Sequence, residues 1–312
     1  MNYDIKIQTD STEVSRLEFD QLARLAKSTK DIATKALMLN LYGYSDIKPN
    51  KETKKALELF LEEIKNTNNE ELTLIVDCFN FSETIEELQL DIFSSKEELL
   101  KLTPMALVIQ AFHSALGSKD YFSVDKPLLK ALLNFKKNLS SKNQRIFLSN
   151  RGTIAEIELT QASFEEIEIL EQGIPAAQTV VINGLLDEMK VSKGKLGLLV
   201  DNELINLLVT KNKDIQNLRE FMGNEITIKG IAHYNAKGKI RFVEVKEFNK
   251  PEKGDAYFSQ IPLAENVQQQ LFNVSKGKVK SNQLSALQQI QGLLKDEMND
   301  QQFEEMLKDV RR

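Results

Sequence analysis

The chain has 312 residues, 41% of them hydrophobic and 28% charged, with 41 basic against 46 acidic residues and a net charge of −5. Disorder requires fewer apolar residues and a larger net charge, so a folded chain of about two domains is expected. A mildly acidic total argues against a dedicated duplex-DNA binder, which carries a basic face. The single cysteine, Cys78, rules out an internal disulfide and a thiolate metal cage.

The N-terminus, MNYDIKIQTDS, is polar, with no basic region followed by an apolar run, and does not read as a signal peptide. No stretch reaches the roughly 18–20 apolar residues of a membrane span. The expectation is a reduced, cytoplasmic protein that makes no membrane contact.

Residues 3–8 alternate as a short strand. Over 18–42 the period becomes helical: Phe19, Leu22, Ala23, Ala26, Ile32, Ala33, Ala36 and Leu37 recur at three- and four-residue spacings, and Gly43 suits a C-cap. Leu57, Leu59 and Leu61 alternate with Glu58 and Glu62, which predicts a strand over 56–64. Leu72, Leu74 and Val76 form its hairpin partner. From 95 to 139 the pattern is helical, with one long helix kinked or divided at Pro104 and a second carrying Leu128, Leu129, Leu132, Leu133 and Phe135. Strands are expected over 144–149 and 153–159, joined at Asn150-Arg151-Gly152. Residues 1–172 therefore read as an α+β domain.

Gly173-Ile174-Pro175 marks a boundary. Beyond it, strands are expected over 178–191, 195–201 and 204–210, then a helix over 213–222 ending at Gly223. Strands over 225–235 and 239–248 follow, joined at Lys237-Gly238. The expected core is Val181, Leu185, Leu198, Val200, Leu207, Val209, Ile226, Ile228 and Val243. This order of three strands, helix and two strands resembles the OB-fold, a partly open Greek-key barrel. Gly223-Asn224-Glu225-Ile226-Thr227-Ile228-Lys229-Gly230 resembles the entry to the fourth strand of such barrels. The resemblance covers residues 178–248.

Residues 251–312 read as a linker and an amphipathic helical tail. Leu284, Leu287, Ile290 and Leu294 form one apolar stripe, and Phe303, Met306, Leu307 and Val310 another. Asn299 with Gln302 resembles a capping box between them. The whole layout is similar to uncharacterised bacterial proteins that place an α+β domain before a small barrel, a likeness that implies no activity.

Known catalytic patterns are missing. There is no G-x-x-x-x-G-K-[ST] phosphate loop and no G-x-G-x-x-G after a strand. Val-Ser-Lys-Gly-Lys occurs at 191–195 and 274–278, with too few glycines for a phosphate cradle. The two histidines, His113 and His233, lack the sequence partners of a triad or a zinc site. Glu244-x-Lys246 has the spacing of a restriction-type nuclease strand, but alternation alone makes it a solvated face. No cofactor, metal or catalytic residue is expected.

In OB-folds, ligands sit over strands two and three, bordered by the loops joining strands one to two and four to five. Those loops hold Lys190, Lys193 and Lys195, then Lys237 and Lys239, with Arg241 just beyond and Tyr234 just before. Residues 176–250 carry 12 basic and 9 acidic residues, against a net −8 for the remainder. Strands two and three contain no aromatic residue on which bases could stack. The expectation is a non-catalytic binding or adaptor protein, an accessory subunit of a bacterial multi-protein system. It would engage a protein partner or a second copy, with Leu284, Leu287, Ile290 and Leu294 as a partner contact. The alternative is a single-stranded nucleic-acid binder using the basic loops.

Overall fold

The computed structural model describes all residues except 10–16, 69–70, 85–96, 118–123, 151, 153, 191–194, 210–211, 236–237, 263 and 265–312. The tail stripes at 284–310 therefore lie outside the described residues. Met1–Ala264 cluster as one compact unit. The fold class is α+β, with two sheets, one of them a closed barrel.

In the first part, β1 (Asn2–Gln8) is central in a five-stranded antiparallel sheet of order β2-β3-β1-β4-β5. Its neighbours are β3 (Glu71–Asp77) and β4 (Arg145–Ser149); β2 (Phe60–Asn68) and β5 (Ile157–Leu159) lie at the edges. Helices α1 (Phe19–Tyr42), α3 (Pro104–Leu116) and α4 (Lys126–Phe135) pack with it, and a short α2 (Lys51–Ala56) precedes β2. Tyr3, Ile5, Ile7, Leu74 and Val76 share a core with Ile32, Leu37, Phe112 and Phe135 from the helices. α1 ends at Gly43, whose φ of 77° is left-handed and whose N–H reaches the Leu39 carbonyl.

Two expectations here need correction. The strand placed at 56–64 begins at Phe60, because the Asn50 side chain accepts from Thr53 N–H and turns Lys51–Ala56 into α2. The helical run from 95 is divided at Pro104 as expected, with a short helix at Glu97–Leu100 ahead of it. Pro104 opens α3, with Thr103 as the N-cap accepting from Ala106 N–H, a position where proline loses no hydrogen bond. The strand expected from 153 begins at Ile157, and a further helix, α5 (Gln161–Gly173), follows. A Thr160–Ser163 capping box starts α5, and Phe164 and Ile167 anchor it in the core.

The second core begins at Val180, after Ile174 closes the first. β6 (Gln178–Lys190), β7 (Lys195–Val200), β8 (Glu203–Leu208), β9 (Glu225–Tyr234) and β10 (Ile240–Asn249) close a barrel of order β10-β8-β7-β6-β9. All neighbours are antiparallel except β8 and β10, which run parallel at Leu207↔Val243. A short α6 (Asn212–Leu218) between β8 and β9 adds Ile215 and Leu218 to the core. This closed mixed barrel is compatible with an OB-like one.

On β6 the inward set is Val180, Ile182 and Leu186, so Val181 and Leu185 are off the expected face by one residue. Gly184 sits at a close approach of the barrel wall: a Cβ there would stand 2.5 Å from the Leu199 carbonyl oxygen. The chain assigned to a linker from 251 instead stays on the barrel. Asp255 accepts from Thr227 Oγ1 at 2.7 Å, Asn183 donates to Ser259 Oγ at 3.4 Å, and Ala264 joins the barrel core.

Candidate functional site

Two surfaces of the second part carry the residue types that bind. The first is the outer face of β7 and β8. Leu196, Leu198, Ile205 and Leu207 point into the core, which turns Gly197, Leu199, Leu204 and Asn206 outward. Gly197 faces Asn206, and Leu199 faces Leu204 across the ladder. Leu204 is 43% exposed and lies over Gly197, where an added Cβ would sit 2.9 Å from its Cδ1. The face carries the aliphatic side chains of Leu199 and Leu204, and β7 and β8 contain no aromatic residue.

Of the basic residues expected around this face, Lys239 and Arg241 have described side chains. Lys190 and Lys195 form the last ladder pair of β6 and β7, and their side chains lie outside the described residues, as do Lys193 and Lys237. Lys239 is exposed, but its Nζ lies 3.7 Å from the Glu203 carboxylate at the start of β8. Tyr234 is 5% exposed and belongs to the barrel core, where burial pushes its phenol pKa up. Arg241 turns away from the loop and donates from Nη1 to the Val124 carbonyl at 2.8 Å. Burial lowers its pKa, and nearby Asp125 opposes that shift. The expectation that Tyr234 and Arg241 serve the loop surface is therefore corrected. Glu244 and Lys246 pair with each other at 2.5 Å, consistent with a solvated strand face.

The second surface is a cleft of about 420 Å³ between the α1–α4 side of the first part and the outside of β9 and β10. One wall is a three-ring cluster. His233 and Phe242 are stacked, with centroids 4.4 Å apart and planes 13° from parallel. Tyr44 tilts onto both, 4.8 Å from His233 and 4.7 Å from Phe242. Burial pushes the Tyr44 phenol pKa up to about 12 and the His233 imidazole down. His233 Nε2 is buried without a hydrogen-bond partner.

Asp125, the N-cap of α4, also lines the cleft. Its carboxylate accepts from Leu128 N–H at 3.1 Å, Ser45 N–H at 2.8 Å and Ser45 Oγ at 2.6 Å. Lys126 then reaches the Ile174 carbonyl at 2.8 Å and Glu171 at 3.6 Å, and Lys35 pairs with Asp46 at 3.2 Å.

Sequence reasoning missed Tyr44 and Asp125 altogether. The one available signal is Asp125 two residues before Pro127, an arrangement that suits a helix start.

Among the described residues, no group of three or more His, Cys, Asp or Glu side chains is placed to hold a metal ion. Among them, too, no helix is long and apolar enough to cross a membrane. No family model matches this chain, and neither a curated protein nor a solved structure does.

Proposed function

We propose that the chain is a non-catalytic binding protein whose barrel docks a protein partner on the outer face of β7 and β8. The observation that carries this reading is the aliphatic pair Leu199–Leu204 beside Gly197, at the position where OB-folds take their ligands. The strand order, the parallel β8–β10 pair and the helix between β8 and β9 support the OB reading of the barrel.

A single-stranded nucleic acid needs stacking platforms, each worth about 1–3 kcal/mol per base. The face has none, Tyr234 is buried in the core, and Lys239 is already paired. The sequence stripe Leu284, Leu287, Ile290 and Leu294 is a second proposed contact with the same partner.

The test places a photo-crosslinking amino acid at position 204 of the full chain, expressed in its native host. A discrete protein adduct from 204, absent from a control position at Lys253 and lost with Asn206→Arg, is the expected result. Fluorescence anisotropy with labelled oligonucleotides at about 50 mM salt is run beside it. Oligonucleotide binding with no adduct at 204 overturns the protein-docking reading.

A further inference from the structure

The cleft has features the barrel face does not explain. Arg241 carries five N–H donors in a planar fork, of which the described acceptors use one, at Val124. Its remaining nitrogens are not among the buried polar atoms without a partner, so they open onto solvent-filled space. Arg241 lines the 420 Å³ cleft and also a second cavity of about 320 Å³ beside Asn40, Gln110 and Ser114. It is thus a cation held in place by one hydrogen bond, with donors to spare. Lys130, also on the cleft wall, is exposed and has no ion-pair partner among the described residues.

Of the carboxylates nearby, Asp125 acts on Arg241 through its charge without a described ion pair to it. Asp125 is 6% exposed, and Ser45 and Leu128 occupy both its oxygens. Asp46 is taken by Lys35, which leaves Asp31 as the acidic group on the rim without a described partner. The same lining includes the rings of Tyr44 and His233, together with Phe242, which is 6% exposed.

We infer that this cleft binds a small planar aromatic molecule carrying an anionic group. Its ring packs on the Tyr44–His233–Phe242 cluster and its anion meets the free donors of Arg241 and the Lys130 ammonium. A volume of about 420 Å³ is in the range of small-molecule sites. A guanidinium fork pairs with carboxylate and phosphate in the same two-point geometry. A nucleoside monophosphate and an aryl carboxylate are therefore the two sources of one chemistry. This inference does not depend on what docks at β7 and β8.

The test is titration calorimetry on the full chain with AMP, UMP and indole-3-carboxylate, with adenosine and inorganic phosphate as half-ligand controls. Saturable binding of at least one of the three anions is expected, with adenosine and phosphate each at least about tenfold weaker. AMP or UMP binding alone identifies the phosphate source, and indole-3-carboxylate alone identifies the carboxylate source. Arg241→Gln and Tyr44→Leu should each weaken binding at least about tenfold, and Lys130→Gln about threefold. Because Arg241→Gln also removes a structural bond, circular dichroism accompanies each variant, and the exposed Lys130 and half-buried Tyr44 provide independent readings. No heat from any anion at about 1 mM, adenosine binding as tightly as AMP, or affinity unchanged in Tyr44→Leu would each overturn the inference.

Discussion

The Arg241 guanidinium donates to the Val124 main-chain carbonyl across 117 residues of sequence, joining the last barrel strand to the start of α4. The next residue, Asp125, caps that helix and holds Ser45 on the loop after α1. Barrel, helix and loop thus meet through two adjacent residues.

The two polar groups at this junction should differ in their cost. Arg241→Met removes one hydrogen bond from a charged donor to the carbonyl of buried Val124, an expected loss of about 1.5–3 kcal/mol. Asp125→Ala orphans Leu128 N–H and both donors of buried Ser45, and removes a helix cap, for roughly 3–5 kcal/mol. Urea unfolding of the two variants checks the order. A smaller loss for Asp125→Ala than for Arg241→Met would mean that Asp125 is not the central group.

Acid should loosen the cleft through His233. Burial lowers its pKa, with Glu244, Asp125 and Asp46 pulling the other way and Lys246 adding to the fall. The unfolded chain binds the proton at about pH 6.5 and the folded chain only at lower pH. The contribution is present above pH 6.5 and lost as pH drops through the folded value. His233→Phe keeps a stacked ring without a proton site, so its urea midpoint should fall less than the parent's between pH 7.5 and 5.5.

The sign reverses for Tyr44. Its pKa stands at about 12 against an ordinary 10, so its contribution is intact below pH 10 and lost as pH rises from 10 through 12. Burial raises the Tyr3 and Tyr234 phenols as well, so tyrosinate absorbance should show a late step of several phenols, and Tyr44→Phe should lower its amplitude by one.

The barrel seam depends on Gly230. It pairs with Val245 between β9 and β10, and an added Cβ would collide with the Glu244 carbonyl oxygen and stand 2.7 Å from Val243 Cγ1. Backbone cannot yield cheaply, so Gly230→Ala should cost about 3 kcal/mol, the upper end for overpacking. Gly223 has a left-handed φ of 74° and nothing within 4 Å of a Cβ. Gly223→Ala carries conformational strain alone, about 1–2 kcal/mol. Thermal unfolding of both, with Gly230→Ala the less stable, is the check. The reverse order would show that the seam can open.

Local patterns in the sequence determined much of this protein. Period-two runs located the five barrel strands to within a few residues, and Gly223, Gly238 and Gly43 marked turns and caps that do adopt positive φ. These features were legible because they depend on neighbours in sequence. The inward face of β6 was not: apolar residues occupy both parities at Val180, Val181 and Ile182 and again at Leu185 and Leu186, so only barrel closure selects Val180, Ile182 and Leu186. α5 was overlooked because its buried face is narrow, Phe164 and Ile167, while Ile169 on the same helix stays exposed. The cleft was decided by tertiary structure alone. Tyr44, Asp125, His233 and Arg241 come from a loop, a helix cap and two strands, and no periodicity links them. The burial of these side chains, and the altered pKa values of Tyr44, His233 and Arg241, arise only once the barrel packs against the helices, because desolvation depends on what surrounds a side chain in space, and sequence distance does not encode it.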